Sequence, residues 1–116
     1  MNVRKIVGSE KFDAYLISMF CFHARVDDVE SQRERVENEN IEDWGAFTDN
    51  GILAARILNN KFDFIIDGTP VKSGGIGGVS TLPEYRNQGA VRDIFRKFLP
   101  EAYRSGEVIS ALYPFN

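Results

Sequence analysis

The chain has 116 residues, 43% hydrophobic and 27% charged, with a formal net charge of −3 and a pI near 5.1. That length builds one domain with a modest core, and the balance of apolar and charged residues is ordinary for a globular protein. The acidic balance argues against general nucleic-acid binding, and one cysteine (Cys21) with one histidine (His23) excludes zinc spacings and any internal disulfide.

A lone thiol agrees with a reducing compartment, and the N-terminus lacks a secretory pattern, so a cytoplasmic location is expected. Val3 to Val7 alternates and reads as a first strand. Gly8-Ser9 punctuates it, with Ser9 placed to cap a helix. Phe12, Leu16, Met19, Phe20 and His23 then fall at helical spacing, flanked by Tyr15 and Phe22. The stripe predicts core packing. The apolar run from Ala14 to Ala24 is too short to span a bilayer, so no membrane partner is expected. His23, near the helix end, is better explained as a packed or dipole-paired imidazole than as a base. Asp27 to Asp43 is charge-rich with a thin stripe of Val29, Arg33 and Val36. It reads as a short, exposed second helix and a loop, its acids a solvated face or, functionally, an attraction for a cationic amine.

Trp44 to Thr48 reads as a strand. Asp49-Asn50-Gly51 predicts a hairpin with a type I′ turn, and Ile52 to Leu58 is the partner strand. Asn59-Asn60 is expected to turn the chain. Phe62 to Ile66 forms another strand, Asp67-Gly68 a second hairpin, and Val71 to Leu82 the returning strand. Gly74, Gly75, Gly77 and Gly78 fail the dinucleotide pattern, since the required glycine falls on Ser80, and no P-loop follows. Glycines inside a strand mark a bulge or a close backbone approach.

Pro83 ends that strand, and Pro83 to Gly89 is a polar turn. Val91, Ile94, Phe95, Phe98, Leu99 and Ala102 then form one face of a helix, opposite Arg92, Asp93, Arg96, Lys97, Glu101 and Arg104. Pro100 predicts a kink near Leu99 or two helices end to end. Ser105-Gly106 closes the helix. Glu107 to Tyr113 is apolar without alternation, as expected of a strand covered on both faces. The strand–loop–helix–strand unit predicts parallel strands with a right-handed crossover. An α+β fold follows, in three layers. An antiparallel meander leads into a parallel βαβ unit, with helices on both faces.

The loop before the helix carries the chemistry. Gly89 admits backbone N–H groups close to a ligand, at a helix start with unpaired donors and the positive end of the dipole. Arg86 and Arg92 flank it. A cation in the first turn opposes the macrodipole by about 0.3–1 kcal/mol, so an anion beside Arg92 would account for it. The plainer alternative is a solvated Arg92 offset by Asp93.

Arg86-Asn87-Gln88-Gly89-Ala90-Val91 resembles the Arg/Gln-x-x-Gly-x-Gly/Ala pyrophosphate loop of GNAT acyltransferases. The string Gly77-Gly78-Val79-Ser80-Thr81-Leu82-Pro83-Glu84-Tyr85-Arg86, with Ala111-Leu112-Tyr113-Pro114-Phe115, is similar to the Eis-type (enhanced intracellular survival) N-acetyltransferases. The resemblance covers most of the chain from Trp44 onward. Val91 departs from the general motif, and the Eis-type branch often has an apolar residue there.

The resemblance implies acetyl-CoA as acyl donor, no metal, and a primary amine on an aminoglycoside or a protein as acceptor. It implies that Val79, Ser80 and Thr81 bond pantetheine along a splayed strand edge. Arg86, Asn87, Gln88, Gly89, Ala90, Val91 and Arg92 would wrap the pyrophosphate, and Phe115 and Asn116 would contact the cofactor arm. Eis-type enzymes place a tyrosine acid shortly after the last strand and use the C-terminal carboxylate of a further domain as base. Tyr85, Tyr103 and Tyr113 do not align with that tyrosine. Residues 1–116 are therefore expected to be one incomplete domain of a longer, homo-oligomeric enzyme, with acid and base outside it. A non-catalytic CoA-binding or protein-interaction module of the same fold, and a generic α+β interaction domain, are the alternatives.

Overall fold

Alternation along the strands sorts the core into two layers, one on each face of a single sheet. The computed structural model describes residues 1–21 and 41–112. The elements are β1 (Asn2–Ile6), α1 (Glu10–Cys21), β2 (Ile41–Phe47), β3 (Leu53–Ile66), β4 (Thr69–Thr81), α2 (Ala90–Arg104) and β5 (Ile109–Leu112). A short 3-10 turn, Pro83–Tyr85, precedes α2. The five strands lie in sequence order, antiparallel from β1 to β4 and parallel between β4 and β5.

On one face Val3, Trp44, Ala46, Ala55, Ile57 and Ile76 pack against Ala90, Ile94 and Phe98 of α2. On the other, Ile6 and Phe47 pack with Ala14 of α1, and Leu53 closes the cluster. This is the expected mixed sheet with a helix on each face. The strand–loop–helix–strand unit is present as β4–α2–β5, its parallel pairs running from Ser73↔Ile109 to Ile76↔Leu112. The end of α2 meets its expectation too. Gly106 has φ 97, its N–H donates to Tyr103 O, and the Glu107 N–H donates to Ala102 O, the paired bonds of a Schellman closure.

Several local expectations are corrected. The apolar stripe of α1 does not all face the core: Phe12, Ala14 and Ser18 are buried, whereas Leu16 and Phe20 are exposed. The helix lies on its small residues, which bring its backbone close to β4. Ile41 to Asp43 belong to β2 rather than to a solvated segment; Asp43 is 1% exposed. Residues 22–40, with His23 and the rest of the charge-rich stretch, lie outside the described residues.

Asn59-Asn60 is not a turn. β3 runs through it without a break, and Asn59 is buried with its Nδ2 donating to Glu107 Oε1 at 2.8 Å. A tertiary partner overrides the turn preference of asparagine. The predicted type I′ turn at Asn50-Gly51 is instead a three-residue loop. Gly51 alone has positive φ there, its N–H donates to Thr48 O, and the Thr48 N–H donates to Ile52 O. The type I′ geometry occurs at Asp67-Gly68, with φ 50 and 77.

α2 is one helix through Pro100, which sits on its exposed side, where the carbonyl it leaves unpaired can meet water. Among the described residues β5 is not covered on both faces: it is the last strand of the sheet, with Leu112 56% exposed and Val108 just before it 75% exposed.

Candidate functional site

The site is built where the β3–β4 ladder slips by one residue. Arg56 pairs with Ser80 and Leu58 with Gly77, so Gly78 and Val79 together oppose Ile57. This is the bulge expected of the glycines, and Gly78 takes φ 57. A Cβ on Gly78 would stand 2.7 Å from Arg56 Nη1.

A buried polar network lies beneath the bulge. Arg56 Nη2 is paired with Asp43 Oδ1, the two side chains 3% and 1% exposed. Arg56 Nη1 donates to Ser18 Oγ at 2.9 Å, and Ser18 Oγ lies 2.9 Å from Ser80 Oγ. Both hydroxyls reach Gly78 O, at 3.2 and 3.0 Å. Burial pushes the Asp43 carboxyl up, against the opposing pull of Arg56 and Lys11. Arg56 Nε finds no acceptor among the described residues.

Beyond Ile76, β4 has no strand on its β5 side among the described residues. The Leu82 N–H donates to Ala54 O, so ladder alternation turns Ser80 toward β3 and the backbone of Val79 and Thr81 toward the open edge. Thr81 O accepts from Arg86 Nε and Cys21 Sγ, each at 3.4 Å.

The loop continues from that edge. The Tyr85 N–H donates to Leu82 O and the Arg86 N–H to Pro83 O. The first bond into the helix is Asp93 N–H to Gly89 O at 3.0 Å. Between these, the amides of Asn87 to Arg92 have no acceptor among the described residues, and no side chain caps the helix. Asn87 and Gly89 both have positive φ, 65 and 75, a backbone that gathers consecutive N–H groups around a concavity. A Cβ on Gly89 would stand 2.5 Å from Arg92 Nη2, so that guanidinium lies over the glycine. Arg92 is otherwise open to solvent, its Nε 3.6 Å from Asp93 Oδ1. Gln88 Nε2 donates to Glu84 O at 3.3 Å. Ala90 is buried, and Val91 packs on the α2 core, which accounts for an apolar residue in place of Gly or Ala.

The structure thus brings Val79, Ser80 and Thr81 next to the run from Arg86 to Arg92. Ser80 is placed differently from the expectation: its side chain points inward, 5% exposed, and its backbone faces β3, so of the three residues only Val79 and Thr81 turn backbone toward the edge. Phe115 and Asn116 lie outside the described residues. Arg56, Asp43 and Ser18 were missed by sequence reasoning. The available signal was a lone arginine inside the apolar run Ala54-Ala55-Arg56-Ile57-Leu58. Among the described residues no group of three or more His, Cys, Asp or Glu could hold a metal ion, and no helix is long and apolar enough to cross a membrane.

Comparison with known proteins gives a consistent picture. The acetyltransferase (GNAT) domain family matches residues 2–116. No curated protein sequence matches the chain. Among solved structures, a probable N-acyltransferase from Enterococcus faecalis superposes with a TM-score of 0.89 at 21% identity, over 99% of this chain. The chain spans only 29% of the length of that protein. A ribosomal-protein-alanine N-acetyltransferase from Brucella melitensis biovar Abortus superposes at 0.78, with 14% identity over 100% of this chain and 82% of its own. AAC(6')-Iy, solved with the bisubstrate analogue CoA-S-monomethyl-acetylneamine, superposes at 0.73, with 14% identity over 98% and 79%. With the family matching almost its full length, the chain belongs to the GNAT acetyltransferase domains.

Proposed function

We propose that the chain is the donor-binding part of an acetyl-CoA-dependent N-acetyltransferase of Eis type, acting on a primary amine of an aminoglycoside or a protein. One observation carries the reading: the amides from Asn87 to Arg92, without an acceptor among the described residues, converge at a helix start between two exposed arginines. Such a nest binds a diphosphate through backbone donors and the helix dipole. The open edge at Val79 and Thr81 lies next to it and offers strand-like hydrogen bonds to an extended pantetheine arm. AAC(6')-Iy, of the same fold, takes a CoA-containing analogue, which supports the reading.

In acyl transfer the amine nitrogen attacks the thioester carbon, the carbon–sulfur bond breaks, the amine loses a proton and the thiolate gains one. This chain's residues are assigned the holding of the donor and, through the β4 edge amides, the polarisation of its carbonyl. No acid or base is assigned to the described residues. In this reading residues 1–116 are one domain of a larger, homo-oligomeric cytoplasmic enzyme.

Isothermal calorimetry with CoA tests the reading. Binding by the wild-type chain and its loss in Gly89→Glu are expected. No binding by the wild type, or equal binding by the variant, overturns it. Turnover with acetyl-CoA and an amine, followed by thiol release, separates a transferase from a module that only binds.

A further inference from the structure

We infer that Arg56, clamped between Asp43 and Ser18, is a positioning residue that fixes the β4 bulge and with it the edge on which the pantetheine arm lies. The inference rests on the proposed CoA reading and deepens it. One network joins four elements beneath Gly78: Ser18 of α1 and Ser80 of β4 bond its carbonyl, Arg56 of β3 donates to Ser18, and Asp43 of β2 holds Arg56. The Gly78 carbonyl is taken by the two serine hydroxyls, at 3.2 and 3.0 Å. Arg56 Nη1 lies under Gly78 where a side chain would begin, so the guanidinium is the floor of the bulge.

Stability alone does not account for the pair. Desolvating both charges offsets their attraction, and apolar residues of similar volume commonly serve as well or better. What an apolar replacement cannot do is donate to Ser18 Oγ and hold its hydroxyl on Gly78 O. The network therefore fixes a backbone shape. That shape turns the Ser80 side chain inward and leaves Val79 and Thr81 facing the open edge.

The test compares CoA with 3′-phosphoadenosine 5′-diphosphate, which keeps the phosphates and lacks pantetheine. The variants are Ser18→Ala/Ser80→Ala, which spares the ion pair, and Asp43→Leu/Arg56→Met, which replaces it with apolar volume. Affinities are measured by calorimetry and folding by thermal melts. For whichever variant melts cooperatively, CoA affinity is expected to fall about tenfold while that of the truncated nucleotide stays within about twofold. A merely structural role would weaken both ligands alike or neither, and either result in a folded variant overturns the inference. A wild-type chain that binds neither ligand overturns the CoA reading itself, a result visible before any substitution is made.

Discussion

The guanidinium of Arg92 lies over Gly89, so that a Cβ at position 89 would stand 2.5 Å from Nη2 and 2.9 Å from Cζ. Gly89 also holds φ 75 as the residue before α2. Gly89→Ala therefore meets two obstacles of different cost. The left-handed backbone is disfavoured for alanine by about 1–2 kcal/mol, whereas the arginine, being flexible, swings aside. The expected outcome is a stability loss of that size by urea unfolding, together with a fall in CoA affinity of about tenfold or more because the nest loses its shape. Unchanged affinity alongside the stability loss would detach the loop from ligand binding.

Arg92 is expected to show opposite signs in stability and binding. Its charge in the first turn of α2 works against the helix dipole, and Asp93 offsets it only at 3.6 Å. Arg92→Ala should leave stability equal or raise it, by at most about 1 kcal/mol. The same change removes a charge-assisted contact to a diphosphate, worth about 1.5–3 kcal/mol, and should weaken CoA about ten- to a hundredfold. Arg86→Ala should weaken CoA similarly, and the wild-type affinity should fall as salt rises. Thermal melts and calorimetry at two salt concentrations read all of this.

These loop features were legible because backbone demands leave glycines in the sequence, and because one helix face repeats every 3.6 residues. Ile94 and Phe98 could be read as core from spacing alone, and both are buried. Asn59 could not be. Its partner Glu107 is 48 residues away, so local turn preference gave the opposite answer. Arg56 and Asp43 are opaque for a related reason. A charge pair becomes visible only when register is known, and β2–β3 register depends on a loop one residue longer than the type I′ turn that Asn50-Gly51 predicts. The packing side of α1 was hidden because hydrophobicity ranks Leu16 and Phe20 above Ala14 and Ser18, while close approach to β4 favours the small pair.

The core on the α2 face should be the most sensitive part of the fold. Phe98 is 1% exposed and meets Trp44 edge-on with ring centroids 5.8 Å apart. Phe98→Ala removes that contact and leaves a void between helix and sheet, at a cost of about 3–5 kcal/mol. A domain of this kind has about 5–15 kcal/mol in total, so the variant should lose much of its urea resistance. Leu99→Ala, on the neighbouring position but 46% exposed, is the control and should cost far less.

Glu42 should shape the acid limb of the stability curve. Its Oε1 accepts from Trp44 Nε1 at 2.5 Å, while Lys61 and Lys5 approach Oε2 at 3.2 and 3.5 Å. Burial raises its pKa, but the indole hydrogen bond and the two lysines outweigh this, and the carboxyl sits below its ordinary value. The unfolded chain titrates this carboxyl at its ordinary value of 4.5. Because the folded pKa is lower, the stabilisation is fully present above the unfolded pKa and is lost as pH falls through the folded one. Asp43 acts with the opposite sign: burial raises its folded pKa, so the folded state takes up that proton more readily and part of the acid loss is offset. Glu42→Gln should therefore be less stable than the wild type at about pH 6, and the gap should narrow as pH falls below the ordinary carboxylate range, as read by melting temperature across an acid titration. Both lysines are 41–50% exposed, so solvent screening keeps the whole effect near about 1 kcal/mol. A gap that stays constant with pH would mean that Glu42 contributes by its shape and hydrogen bonding alone, with its charge irrelevant to the fold.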